Sequence, residues 1–231
     1  QMMNDDMADQ QATYPDRIRW FATLPWQYPE RAIAELERAC EKGAVGVFVS
    51  ASVTGMSLTN PTFASIWEAI DQRELPVLVH PGAPPGIAEM DMGKYNLAFS
   101  VGFMFDTTLA ISRMIYDGFF DRYQKVKIIA CHAGGALPYL VGRLDTAFDN
   151  MPPCRDVISE RPSTYFERLY FDSLAYTQEA LELCLHVSGS DRLLYGSDYP
   201  HNVGDMPGCL ARVDALAPDI AKKVRGKNAV E

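Results

Sequence analysis

Three residues able to bind a metal or move a proton each stand just past an apolar run. His80 follows Val77-Leu78-Val79, His132 follows Ile128-Ile129-Ala130-Cys131, and Asp198 follows Leu193-Leu194-Tyr195-Gly196-Ser197. Imidazole and carboxylate are ligands for zinc and similar divalent ions, and the same groups act as general acids and bases. Delivered to one face, two imidazoles and a carboxylate make a mononuclear metal site with an acid/base partner. Each residue also has a bland reading when taken alone. A strand-end histidine can bond backbone, and an aspartate after a strand can cap the next turn. What points to chemistry is the conjunction: the chain has 4 histidines, and two of them hold equivalent positions on successive strands. His186 falls inside a helical run and reads as structural. His201 follows Asp198 closely and could line a pocket or merely face solvent.

The elements that must position these residues alternate. Apolar runs at Arg19–Pro25, Val45–Val49, Val77–Val79, Val126–Cys131, Leu169–Asp172 and Leu193–Tyr195 read as strands. Helical spacing appears from about Glu30 to Cys40, after the Asn60-Pro61 cap, from about Asp106 to Phe120, from Gly135 to Phe148, over Gln178–Val187, and in two terminal helices. A β-α unit repeated six times predicts a parallel sheet. An open doubly wound sheet fits this rhythm too. However, no G-x-G-x-x-G or G-x-x-x-x-G-K follows a strand. The ligand-type residues also come from three strands, as at the rim of a TIM-like (β/α)8 barrel. A barrel needs about eight strands; with six visible, this one reads as incomplete at the N-terminus.

Other residues carry less specific signals. Pro81–Ser100, with Pro84, Pro85 and three glycines, is a long irregular connection directly after His80, and so a natural lid or substrate loop. Ala133, Gly134 and Gly135 let the backbone turn tightly after His132. Arg143, on the following helix, is a surface ion-pair residue or a carboxylate clamp. Asp172 is a pocket group or a helix cap. Trp67, Phe99, Phe103, Phe105, Tyr116 and Tyr139 read as core aromatics, with Tyr95 and Phe99 the better pocket candidates.

Composition narrows the class. The 231 residues suit a single domain, 1–231, and 48% hydrophobic with 22% charged content is that of a globular protein. A net charge of −9 argues against nucleic acid or an anionic membrane surface as partner. No apolar run approaches the ~20 residues of a membrane helix. The five scattered cysteines read as reduced thiols of a cytoplasmic protein. Gln1 stands first, and Asn228-Ala229-Val230-Glu231 reads as the middle of a short element, so the sequence is taken as a piece of a longer chain.

Leu-Val-His-Pro at His80, Cys-His-Ala-Gly-Gly-Ala-Leu-Pro-Tyr at His132 and Tyr-Gly-Ser-Asp-Tyr-Pro at Asp198 resemble, in this order, the amidohydrolase superfamily. The likeness is strongest to its non-oxidative decarboxylases, the aminocarboxymuconate semialdehyde and γ-resorcylate decarboxylases. That resemblance implies a distorted (β/α)8 barrel with one divalent metal, zinc first and manganese second. It implies His80 and Asp198 as ligands, with His132 and Asp198 handling the proton. It implies that Arg143 reaches a neighbouring subunit's pocket to bind substrate carboxylate, in a homodimer or higher homo-oligomer. The family's first strand carries a His-x-His pair that this sequence lacks. On the strand count, two βα units would precede Gln1.

The function so implied is metal-dependent decarboxylation of a small unsaturated or aromatic carboxylic acid by a carboxy-lyase. A hydrolase or hydratase of a lactone, amide or muconate-like acid could use the same ligands, because a fold does not dictate chemistry. A non-catalytic binding protein on a truncated barrel is the third reading.

Overall fold

In the computed structural model, which describes residues 1–230, the six apolar runs become six strands of one sheet. They are β1 (Phe21–Thr23), β2 (Gly46–Ser50), β5 (Pro76–His80), β6 (Lys127–Ala130), β7 (Leu169–Asp172) and β8 (Leu193–Leu194), with a small antiparallel hairpin of β3 (Ser52–Val53) and β4 (Met56–Ser57) after β2. The order is β1-β2-β5-β6-β7-β8 and every pair in the large sheet is parallel. Each large strand lies beside the next one in sequence, which is the winding of a barrel rather than of a doubly wound sheet. The sheet is not closed: β1 and β8 are its edges.

The two faces of the sheet differ. Val47, Val49, Val77, Val79, Ile128, Ala130, Leu169, Phe171 and Leu193 are at most 1% exposed. They alternate with Phe48, Leu78, Tyr170 and Leu194, which are only half-buried. The first set packs under the helices. Of the second set, Leu78, Tyr170 and Leu194 line a concavity that, in a closed barrel, is the packed interior.

Helices Pro29–Glu41, Ala64–Gln72, Phe103–Tyr116, Leu137–Asn150, Gln178–Ser188 and Met206–Asp214 connect or follow the strands. Asn60 caps as expected, its side chain accepting the Thr62 N–H at 3.0 Å. Three expectations are corrected. The helix placed at Asp106–Phe120 is entered earlier, through a wide turn at Ala98–Gly102. It ends at Tyr116, because left-handed Gly118 (φ 68°) breaks it before a separate turn at Phe119–Arg122. Helix Met2–Thr13 was not anticipated, having no apolar period. It is held by the buried Asn4 amide, which donates to the Thr23 carbonyl and Glu35 Oε1 and accepts the Thr23 N–H, at 2.7–3.0 Å. Finally, Trp67 is core, but Phe105 and Tyr139 are 55% and 81% exposed, on the outer faces of their helices. Asn228–Val230 are helical, and Glu231 lies outside the described residues. No helix among the described residues is long and apolar enough to cross a membrane.

Candidate active site

The parallel sheet brings His80, at the end of β5, beside the turns that follow β6 and β8. One ligand atom from each of His80, His132 and Asp198 lies within 4.8 Å of the others. The His80 and His132 rings are 5.2 Å apart between centroids. His132 Nε2 is 3.9 Å from Asp198 Oδ1, and both side chains are nearly buried. His186 and His201 are exposed and outside this cluster.

Each member is held by its local backbone. His80 Nδ1 is 2.7 Å from the Pro81 carbonyl. A carbonyl only accepts, so Nδ1 carries the proton and the neutral ring offers its lone pair at Nε2. Burial pushes the His80 pKa down, which favours that neutral form. His132 and Ala133 have φ of 57° and 52°, a left-handed conformation that costs L-residues about 1–2 kcal/mol each. Asp172, at the end of β7, offsets this cost. Its Oδ2 accepts the His132 N–H at 2.8 Å, and its Oδ1 accepts the Ala133 and Leu174 N–H groups at 2.9 Å. Asp172 is therefore a backbone clamp for the His132 turn. The glycines that follow permit the close approach: a Cβ at Gly134 would meet the Phe171 ring at 2.5 Å, and one at Gly135 would collide with the Met104 carbonyl.

Asp198 is also left-handed (φ 57°), in a loop closed by three backbone bonds: His201 N–H to Asp198 O, Gly204 N–H to His201 O, and Asp205 N–H to Ser197 O. Nearby Cys131 is buried, and burial together with the Asp172 and Asp198 charges keeps it a neutral thiol.

These residues fit a divalent cation. The Asp198 carboxylate accepts no hydrogen bond among the described residues, and the buried His132 Nδ1 has no partner either. A nearly buried carboxylate without donors is costly unless a cation faces it. His80 shows the arrangement usual for a ligand imidazole, with its distal N–H on a backbone carbonyl.

Two hollows meet at His132. One, of about 470 Å³, runs along the concave face past Leu78, Tyr170, Asp172 and Leu194 to the three candidate ligands. The other, of about 380 Å³, is bordered by Phe99, Met104, Tyr139 and Tyr176. Phe99 of the long loop thus borders the site, whereas Tyr95 is 79% exposed and lines neither hollow. A larger hollow of about 770 Å³ lies at Asn4, Glu35 and Arg38, where the carboxylate is already paired with the guanidinium. Arg143 is not brought to the cluster. It is exposed on helix Leu137–Asn150, one turn beyond Tyr139, with no ion pair among the described residues.

The chain is similar to several known proteins along most of its length. The 2-amino-3-carboxymuconate-6-semialdehyde decarboxylase of Dictyostelium discoideum is 31% identical over 235 residues, covering 100% of this chain and 65% of that protein. The chain therefore spans about two-thirds of that relative's length. A 2,6-dihydroxybenzoate decarboxylase solved with 2,6-dihydroxybenzoate superposes with a TM-score of 0.89 at 26% identity, covering 99% of this chain and 74% of that one. The dihydroxybenzoic acid decarboxylase of Polaromonas sp. JS666, solved with manganese and 2-nitroresorcinol, gives 0.88 at 28% identity, covering 99% and 72%. The amidohydrolase family model matches residues 1–231 from end to end, and the chain belongs to that family.

Proposed function

We propose that the protein is a metal-dependent, non-oxidative decarboxylase of a small unsaturated or aromatic carboxylic acid. The observation that carries this reading is the convergence of His80, His132 and Asp198 within 4.8 Å at one end of a parallel sheet. The decarboxylases with which the chain shares its fold and about a quarter of its residues support it.

His80 and Asp198 would hold the divalent ion. When bound, the ion polarises substrate oxygens and lowers the pKa of a coordinated water. The remaining work falls to side chains. In decarboxylation the bond to the carboxylate carbon breaks, its electron pair stays on the substrate carbon, CO2 leaves, and one proton is added to that carbon. His132 and Asp198, 3.9 Å apart, are placed to hold and pass on that proton. The Asp172 clamp keeps the imidazole at the meeting point of both hollows. Leu78, Tyr170 and Leu194 supply apolar surface of the kind that binds an aromatic ring.

The manganese bound in a solved relative supports manganese, and the imidazole ligand His80 suits zinc as well. The working unit is a homodimer or higher homo-oligomer. Val101, Phe105 and Leu109 form an exposed apolar stripe at helical spacing, with exposed Tyr139 and unpaired Arg143 on the next helix. Such a face suits a second copy, with Arg143 delivered to the partner's carboxylate-binding pocket. The five free thiols, three of them buried, suit a single domain working in the cytoplasm.

The test is elemental analysis of the whole protein purified without added metal, followed by assay on 2,6-dihydroxybenzoate and related acids. About one zinc or manganese per subunit with CO2 release is expected. Water addition or ester cleavage without CO2 would move the assignment to a hydratase or hydrolase. No metal and no turnover would leave a binding protein.

A further inference from the structure

We infer that Asp106 is a positioning residue for His80, acting through the Pro81–Gly82 peptide; this rests on the reading of His80 as a metal ligand. The two ends of one peptide unit are engaged at once. The Gly82 N–H donates to Asp106 Oδ2 at 2.8 Å. The carbonyl of the same unit, Pro81 O, accepts from His80 Nδ1 at 2.7 Å. The chain carboxylate–peptide–imidazole is continuous. A negative charge on the N–H side polarises the peptide and makes Pro81 O a stronger acceptor, since bonds in series reinforce one another. A stronger acceptor at Nδ1 draws that proton away and raises electron density at Nε2, the nitrogen left free for a ligand. Outer partners of ligand histidines orient the ring and raise its basicity in this way.

No ion pair among the described residues accounts for a carboxylate at Asp106. It is 3% exposed on the buried stripe of helix Phe103–Tyr116 with Ala110, Ile111 and Met114, where an apolar residue would pack. Among the described residues, its carboxylate accepts one hydrogen bond, from the Gly82 N–H. Burial pushes its carboxyl above the usual range while the Gly82 amide pulls it back, so the arrangement is held against a desolvation cost. The peptide it grips is also confined from the other side. A Cβ at Gly82 would stand 3.2 Å from Ser50 Cβ, and Ser50 is the register partner of His80 on β2. The peptide therefore sits in a slot between β2 and the Asp106 helix. Asp106 does for His80 through one peptide what Asp172 does for His132 directly.

The experiment uses the whole protein and Asp106→Asn, which keeps an acceptor oxygen and removes the charge. Two quantities are read: the imidazole ¹⁵N resonances of His80 in the metal-free protein, and the manganese and zinc dissociation constants by chelator competition. Expected are a shift of the Nδ1 and Nε2 resonances toward a weaker Nδ1–H bond and metal binding weakened by about 10- to 100-fold. Unmoved resonances with affinity within about twofold of the unaltered protein would overturn the inference. If the unaltered protein binds no metal, the metal reading fails, and the His80 resonances alone decide the relay. If Asp106→Asn does not fold, the unaltered protein decides. Scalar couplings across the Gly82–Asp106 and His80–Pro81 hydrogen bonds support the relay, and their absence overturns it.

Discussion

Asp172 holds His132 by its backbone and not by its ring: Oδ2 accepts the His132 N–H at 2.8 Å while Oδ1 takes the Ala133 N–H at 2.9 Å. The usual carboxylate partner of a catalytic imidazole contacts a ring nitrogen. Here the ring is left free for the site, and the carboxylate fixes the left-handed turn on which the ring is mounted.

Asp172→Asn is expected to destabilise the fold and the site together. An amide presents one acceptor oxygen and one donor where three N–H groups converge, so at least one N–H loses its partner. An unsatisfied buried donor costs about 1–3 kcal/mol. Urea unfolding should show a loss of that size. Turnover of the whole protein should fall with it, since the His132 turn loses its clamp.

Removing the side chains proposed to move the proton should behave differently. His132→Ala and Asp198→Ala are each expected to lower turnover by about 10²-fold or more, the usual worth of a positioned acid or base, while thermal unfolding stays near that of the unaltered protein. Near-normal rates in either variant would end the assignment of these two residues.

Arg143→Ala and Phe105→Glu test the shared-site reading. Arg143 has no partner among the described residues, so its loss should leave stability unchanged. It should raise KM for a carboxylate substrate by about 10- to 100-fold, the worth of one charge-assisted bond of about 1.5–3 kcal/mol. Phe105→Glu places a charge in the exposed apolar stripe and should shift sedimentation toward the monomer, with the same rise in KM. A monomeric unaltered protein would defeat this prediction.

Acid sensitivity should trace to the clamp at helix Met2–Thr13. Hydrogen bonds from Lys42 and Arg38 hold Asp5 at about 2, and Arg38 likewise lowers Glu35. Groups depressed in the folded state contribute stability that is present above their unfolded pKa values and is lost as pH falls through the folded ones. The urea midpoint should therefore drop between roughly pH 4 and pH 2. Arg38→Met should flatten that slope. An unchanged slope in the variant would place the acid sensitivity elsewhere.

The alternation of apolar runs with helical spacing determined the parallel sheet, because a strand covered by helices on one face and by the barrel interior on the other must be apolar throughout. It also placed His80, His132 and Asp198 at strand ends, where side chains cross from core to rim. Tertiary structure alone decided what surrounds them. Asp172 read equally well as pocket group or cap, since only the approach of the β6 turn to β7 gives its oxygens their donors. Asp106 carried one signal, a charge on the buried stripe of a helix, but its partner Gly82 lies 24 residues away. Phe105 and Tyr139 looked like core because composition cannot tell the inward face of a helix from a face left open for another surface. Helix Met2–Thr13 had no period to read, because the buried Asn4 amide and the Asp5 ion pairs with Arg38 and Lys42, and not an apolar stripe, attach it. Local pattern reports what each segment buries. Which distant groups meet across the sheet is settled by packing.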